Sequence, residues 1–227
     1  LMPNLDMNII HGDSLVNDDP HWVKNFKGFE WDLDGSKAKA KEMDSIRSKY
    51  IASSGEEKTQ LREKRKGLLQ QIVDSRGDVE KGQSTDFGAI FYDVFARDNG
   101  GFDIVLANPP YVRQEDIARR TKNNWVGASE GLVTGKSDLY IYFYARAKRL
   151  LREGGVTCFI CSNTWLDVEF GAPLQKDIID NFHGIRIIDF RRMRIFESAE
   201  VNTIISIMEK GNAEDNVQFI MFEDSFV

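Results

Sequence analysis

The chain has 227 residues, of which 41% are hydrophobic and 29% charged, and its formal net charge is -6 at pH 7. This composition is typical of one globular domain, or of one domain that carries an insertion. The apolar runs are too short to span a bilayer, and the first residues do not resemble a secretory leader. Two cysteines and three histidines are too few for a disulfide framework or a closed zinc site. We therefore expect a soluble, reduced, cytoplasmic protein without a metal or a membrane segment.

The chain begins with a short apolar segment and a turn. Residues 8–10 predict a strand, and His11-Gly12-Asp13-Ser14 predicts the turn that follows it. The composition then changes between Ser36 and Arg76, where eleven Lys and Arg stand against six Asp and Glu. Apolar residues in this segment recur at helical spacing, at Met43, Ile46, Tyr50, Leu61, Leu68 and Ile72. The segment predicts a helical hairpin that is most simply a solvated insertion, with contact to DNA or to missing parts of the enzyme as alternatives.

A regular alternation of strands and helices follows Gly100-Gly101. One helix is expected after Ser137 or Asp138 and should end at Gly154-Gly155, and a second should begin at Pro173 and end at Gly184. The predicted strands are residues 102–107, 156–162, 185–190, 201–208 and 217–222. The apolar run at 156–162 suggests a central strand buried on both faces. This order predicts a parallel sheet covered by helices on both faces.

The segment Asn108-Pro109-Pro110-Tyr111 lies where the first of these strands should end. Ligands of such sheets bind beyond the carboxyl ends of the strands. The two prolines remove two N–H donors, so the Asn108 side chain and the Pro109 carbonyl form a pair of acceptors. Two acceptors suit a planar NH2 group, whose lone pair is freed for attack when both hydrogens are held. Tyr111 provides a flat face on which a base taken out of its stack can lie.

These residues, with the segments around them, resemble the adenine-N6 branch of the amino-methylating DNA methyltransferases, of the type fused in restriction-modification enzymes. Residues 101–107 lead into the motif as in that family, and residues 112–115 follow it. The likeness extends to residues 137–140, 150–156 and 162–166. The resemblance implies the Rossmann-like α/β fold of the class I methyltransferases, which use S-adenosylmethionine as cofactor. It also implies double-stranded DNA with a flipped adenine as the partner.

The resemblance also implies roles for individual residues. Asn108 and the Pro109 carbonyl would hold the adenine amine, and Tyr111 would stack on the flipped base. Phe196 falls where the family has a second aromatic residue over that base. For the cofactor, Asp13 matches the acid that contacts its adenine, and Pro110 would lie beside its methionine end.

The sequence departs from the family pattern in one respect. The family's glycine-rich cofactor loop should precede Asp13, and the next strand should carry the acid that holds the cofactor ribose, but neither is found. We expect an internal piece of a longer enzyme, N-terminally incomplete, that lacks the upstream cofactor loop and the downstream target-recognition region. Such a piece should bind the cofactor weakly and be inactive alone. The predicted segments are a strand and turn at 1–30, the hairpin insertion at 31–85 and the catalytic half at 86–227.

Three alternatives stay open at this point. The acceptor pair would serve methylation of a protein glutamine or a ribosomal RNA base equally well, and the chain could act only as a DNA-positioning piece. A remote alternative is a serine esterase, because Gly12-Asp13-Ser14-Leu15 matches its nucleophile block and Asp180 and His183 have the spacing of its other two residues. No block for an oxyanion hole accompanies them, and the end of a helix explains His183 equally well.

Two further patterns are interpreted without a site. Cys158 and Cys161 should face opposite sides of a strand and so are expected to be plain core residues. Arginines cluster near the predicted site and could contact phosphates or simply be solvated. They are Arg113, Arg119, Arg120, Arg186, Arg191, Arg192 and Arg194.

Overall fold

The computed structural model describes residues 9–10, 12–15, 20–21, 33–76, 86–126, 129, 131–190, 202–213 and 216–222. The chain divides into two compact units, Leu1–Gly100 and Gly101–Val227. The three-segment division proposed from the sequence stays a prediction. Among the residues just given, no helix is long and apolar enough to cross a bilayer.

The first unit contains the predicted helical hairpin. Helix α1 is Leu33–Ala52 and helix α2 is Gly55–Arg76, and they are followed by two short helices, α3 at Phe87–Ile90 and α4 at Tyr92–Phe95. The apolar residues at helical spacing form the buried face of the hairpin, at Met43, Ile46, Tyr50, Leu68 and Ile72. The hairpin is thus confirmed, with its apolar stripe turned inward.

A buried ion pair joins the hairpin to α4. The Arg47 Nη1 atom lies 2.8 Å from the Asp93 Oδ2 atom, and the Asp93 side chain is only 1% exposed. The Arg47 guanidinium also lies over the Phe91 ring, 5.2 Å from its centroid. Burial raises the pKa of Asp93, while Arg47 acts against that rise. The pair therefore holds α1 against α4 through a contact that is largely shielded from water.

The second unit is a five-stranded sheet with helices between its strands. Its elements are β1 Phe102–Ala107, α5 Arg119–Val126, α6 Leu139–Leu150, β2 Leu151–Ser162, α7 Ala172–Asn181, β3 Phe182–Asp189, β4 Thr203–Lys210 and β5 Val217–Met221. The strand order is β1-β2-β4-β3-β5. Strands β1 and β2 are parallel, as are β3 and β5.

The prediction of a wholly parallel sheet is wrong at β4. Strand β4 pairs antiparallel with β2 on one side and with β3 on the other. A parallel connection normally requires a crossover helix, and the sequence indicates no helix between β3 and β4. The antiparallel return has a consequence for the site, because it brings the amino end of β4 to the edge where β1 and β2 end.

Two helix ends also differ from the prediction. Helix α6 ends at Leu150 instead of Gly154-Gly155, because β2 already pairs with β1 at Leu151. A Cβ at Gly155 would lie 2.8 Å from the Phe102 carbonyl oxygen, so this glycine permits the close approach of β1 and β2. Helix α7 ends at Asn181, three residues before Gly184, where β3 has already begun.

The core lies on one face of the sheet. A single row of paired residues crosses all five strands on this face, at Ala107, Phe159, Ser206, Ile187 and Phe219. Helices α6 and α7 supply the other side of the core through residues such as Tyr144, Leu174 and Ile178. Phe143 is half-buried and packs against this core, as its place on the apolar stripe of α6 indicates.

The opposite face is less covered than predicted. Leu106 and Ile104 are 72% and 61% exposed, and Cys158 and Ile160 of β2 are half-buried. The prediction that β2 is buried on both faces is therefore wrong, since only its other face packs against α6 and α7. Cys161 lies on that packed face and is fully buried, so the two cysteines do face opposite sides.

Candidate active site

A cavity of about 260 Å³ lies where β1 and β2 end and β4 begins. Its walls combine residues that follow β1, residues at the start of α6, and residues from the turn after β2. They are Tyr111, Val112, Arg113, Asp138, Tyr140, Ser162, Asn163, Thr164 and Asn202. The cavity thus lies beyond the carboxyl ends of parallel strands, the usual position of a ligand site in this type of sheet.

The predicted motif leads directly into this cavity. Asn108 and Pro110 are exposed, Pro109 is buried, and Tyr111 is half-buried and lines the cavity. The Val112 amide donates a 3.0 Å hydrogen bond to the Pro110 carbonyl. Asn108 is therefore accessible to an incoming group, and Tyr111 is the motif residue that lines the cavity.

The Tyr111 side chain is held from the side of the core. Its ring packs against the buried cluster of the sheet. Burial raises the pKa of Tyr111, so the phenol is neutral at physiological pH.

The residues after the motif are tied to the start of α6. The Gln114 amide donates to the Asp138 Oδ1 atom at 2.9 Å, and the Leu139 amide donates to the Val112 carbonyl at 3.1 Å. The predicted N-cap residue Asp138 does stand at the N-cap of α6, but its side chain makes no hydrogen bond to the helix. Burial raises the pKa of Asp138, and the hydrogen bond from Gln114 partly opposes that rise.

The other wall of the cavity comes from β2 and β4. The Asn163 amide donates to the Asn202 carbonyl at 3.0 Å, and the hydroxyls of Ser162 and Thr164 lie 2.6 Å apart. Sequence reasoning assigned no role to Asn202, and it gave Asp138 only the role of a helix cap. The signal for Asn202 is its position just before an antiparallel strand, which only the sheet order reveals.

The remaining predicted residues are described only in part. Asp13 belongs to the first unit, where it is exposed and its Oδ1 atom accepts a 2.9 Å hydrogen bond from the Leu15 amide. Phe196 falls outside the described residues, as do Arg191, Arg192 and Arg194. Arg113, Arg119 and Arg186 are exposed, and Arg113 borders the cavity.

The residues of the alternative esterase site have other partners. Asp180 pairs with Lys176, and the His183 Nε2 atom lies 3.4 Å from the Glu209 Oε1 atom. Ser14 is half-buried in the first unit. The contacts of Asp180 and His183 are thus local ones within the sheet unit, which weakens this alternative.

The open α/β sheet and the position of its cavity define a Rossmann-like fold, that of the class I methyltransferases. The model of the Eco57I restriction-modification methylase family matches residues 23–196. The chain therefore belongs to the Eco57I restriction-modification methylase family.

Individual relatives match over part of the chain. The type II methyltransferase M.XhoI of Xanthomonas vasicola is 35% identical over 97 residues, which are 43% of this chain and 18% of that protein. The type II restriction enzyme and methyltransferase RM.Eco57I of Escherichia coli is 26% identical over 133 residues, 56% of this chain and 13% of its own length. The chain thus spans less than a fifth of either relative.

Among solved structures, the chain is similar to a nuclease-deletion mutant of the type ISP restriction-modification enzyme LlaGI in complex with a DNA substrate mimic. The TM-score is 0.49 at 17% identity, covering 65% of this chain and 14% of that one.

Proposed function

We propose that the protein transfers a methyl group from S-adenosylmethionine to the N6 amino group of adenine in DNA, as part of a restriction-modification enzyme. The observation that carries the proposal is the exposed Asn108 side chain at the end of β1, directly before a cavity lined by Tyr111. Membership of the methylase family supports the reaction class. The named relatives, which are type II methyltransferases and restriction enzymes, support DNA as the substrate.

The chemistry follows from the acceptor pair. The Asn108 side-chain oxygen and the Pro109 carbonyl accept the two N6 hydrogens, which localises the nitrogen lone pair and directs it outward. A new bond forms between N6 and the methyl carbon, the bond between that carbon and the cofactor sulfur breaks, and one N6 proton leaves to solvent. Holding the amine in line for attack supplies much of the rate.

The target base would enter the cavity between Tyr111 and the polar wall. A flipped adenine has one flat face for the Tyr111 ring and a polar edge for groups such as Asn163 and Ser162. The exposed Arg113 at the rim suits a backbone phosphate of the same strand. Phe196 completes this proposal as the second aromatic residue over the base.

For the cofactor, Asp13 and Pro110 keep the separate roles that the family resemblance implies. Both residues are exposed, so a ligand can reach the Asp13 carboxylate as an acceptor for an amine and the Pro110 ring as an apolar surface. When bound, S-adenosylmethionine supplies a methyl group made electrophilic by a positively charged sulfur. The expectation that this chain alone binds the cofactor weakly is tested by calorimetry, and micromolar binding would contradict it.

The proposal is tested by transfer of a radiolabelled methyl group in the full-length protein. Asn108→Ala removes one acceptor and should lower transfer to DNA by about a hundredfold or more, the usual cost of losing one preorganised hydrogen-bond partner of a reacting group. Because Asn108 is exposed, the free energy of unfolding should stay within about 0.5 kcal/mol. Asn123→Ala, an exposed asparagine of α5, is the matched control and should leave transfer unchanged.

The same assay decides between substrates. Label recovered as N6-methyladenine in DNA, and lost in Asn108→Ala, supports the proposal. Transfer that survives Asn108→Ala contradicts the mechanism. Label found on protein or RNA in preference to DNA supports methylation of a glutamine or an RNA base by the same acceptor pair.

A further inference from the structure

Asp138 lines the cavity but has no part in the pair of acceptors formed by Asn108 and Pro109. It stands at the N-cap of α6, yet its side chain makes no capping hydrogen bond. Its Oδ1 atom instead accepts the Gln114 amide at 2.9 Å, from the segment that follows the motif. An N-cap aspartate normally accepts from its own helix, so this side chain is diverted to a tertiary contact.

A second hydrogen bond runs in the opposite direction between the same two segments. The Leu139 amide donates to the Val112 carbonyl at 3.1 Å, while the Val112 amide donates to the Pro110 carbonyl at 3.0 Å. Pro109 and Pro110 have no N–H groups, so the motif cannot donate backbone hydrogen bonds of its own at those positions. The position of the motif therefore depends on the hydrogen bonds between residues 112–114 and residues 138–139.

The Gln114 side chain makes a further contact, with a lysine of α5. The Lys122 ammonium donates to the Gln114 side-chain oxygen and to the Gly135 carbonyl, both at 3.2 Å. Gln114 is thus held at its backbone by Asp138 and at its side chain by Lys122. The result is a bridge from the motif to α5 and to the loop before α6.

We propose that Asp138 is a positioning residue for methyl transfer. By accepting the Gln114 N–H, it fixes residues 112–114 and through them Tyr111 and Asn108, and it does not contact the reacting atoms itself. This inference rests on the proposed function. Its expected size follows from geometry, because a displacement of about 1 Å at a reacting group can cost about a hundredfold in rate.

Steady-state methyl transfer by the full-length protein tests the inference with three variants. Asp138→Ala removes the acceptor and should lower kcat by about ten- to a hundredfold, while the KM for S-adenosylmethionine changes less than about threefold. Asp138→Asn keeps an oxygen that can accept the Gln114 N–H, so it should recover most of the lost kcat. Asp116→Ala removes an exposed carboxylate two residues from Gln114 and is the matched control, with no change expected.

Amide hydrogen exchange gives a readout that does not depend on activity. Hydrogen exchange of the Gln114 amide should be faster in Asp138→Ala than in the unsubstituted protein. It should return to the unsubstituted rate in Asp138→Asn. Amides of β2, which pairs with a strand on each side, serve as the internal reference, because a general loss of stability would accelerate them as well.

The outcomes separate the two proposals. Unchanged kcat in Asp138→Ala overturns the positioning role but not the proposed function. The same holds if Asp138→Asn is as slow as Asp138→Ala while its Gln114 amide is still protected from hydrogen exchange. A parent protein that transfers no methyl group to DNA overturns the proposed function and the catalytic part of this inference, even where Gln114 exchange responds as expected.

Discussion

The packed face of the sheet and its carboxyl edge are built from the same strands but from different chemistry. On the packed face, Phe159 and Ile204 are almost fully buried against α6 and α7. At the edge, β1 runs into Asn108, which is exposed, and β2 runs into Asn163, which is half-buried and lines the cavity. The face supplies stability and the edge supplies acceptors, so substitutions in the two regions should have separable effects.

The largest effect is expected on the packed face. Phe159 is 1% exposed, and Phe159→Ala should lower the free energy of unfolding by about 3 to 5 kcal/mol through the cavity it leaves. Phe219 lies in the same cross-strand row but is 45% exposed on β5, so Phe219→Ala should cost less than about 1.5 kcal/mol. Urea unfolding followed by circular dichroism measures both, and equal losses would break the comparison.

Cys161 lies on the packed face, one residue before the end of β2. Burial raises the pKa of its thiol from 9.0 to about 11. Between these two values the unfolded chain loses the thiol proton while the folded chain keeps it, so this contribution to stability is present below pH 9 and disappears as the pH approaches 11. The loss amounts to about 2 to 3 kcal/mol.

The measurement compares the parent with Cys161→Ala by urea unfolding across that pH range. The variant should lose less stability between the two ends of the range. Cys158→Ala is the matched control with a smaller difference, because the Cys158 thiol is half-buried on the other face. Parallel pH profiles for parent and Cys161→Ala would show that this thiol titrates normally.

Tyr111 packs against the core and also lines the cavity, so the effects of its ring and of its hydroxyl on DNA binding should be separable. Tyr111→Ala removes the stacking surface and should weaken binding of DNA with an adenine opposite an abasic site by about 1 to 3 kcal/mol. Tyr111→Phe keeps the ring and loses only the hydroxyl, so most of that affinity should remain. Fluorescence anisotropy measures the binding, and an equal loss in both variants would assign the effect to the hydroxyl.

The smallest effect is expected at the other end of β1. The Arg152 Nε atom lies 2.7 Å from the Asp103 Oδ1 atom, with the Asp103 side chain 71% exposed. Asp103→Asn should change the free energy of unfolding by less than about 1 kcal/mol and leave methyl transfer unaffected. A loss above about 2 kcal/mol would mean that this amino end contributes more to the sheet than exposure indicates.

Several features of the fold could be predicted from local patterns. The hairpin follows from apolar residues at helical spacing, and β1 with its motif follows from an apolar run that ends in Asn108 and two prolines. Cys158 and Cys161 face opposite sides because residues three apart on a strand must do so. The antiparallel direction of β4 and the early end of α6 were mispredicted, because both depend on pairing with distant strands.

The sequence by itself determined the motif, the reaction class it suggests and the type of fold, because local spacing and backbone chemistry are written in neighbouring residues. Only the tertiary structure decided what surrounds the motif. The antiparallel return of β4 brings Asn202 to the edge, and the diversion of the Asp138 carboxylate to the Gln114 amide ties two segments far apart in the chain. Such contacts depend on how the strands pair and where helices end, which no local pattern specifies.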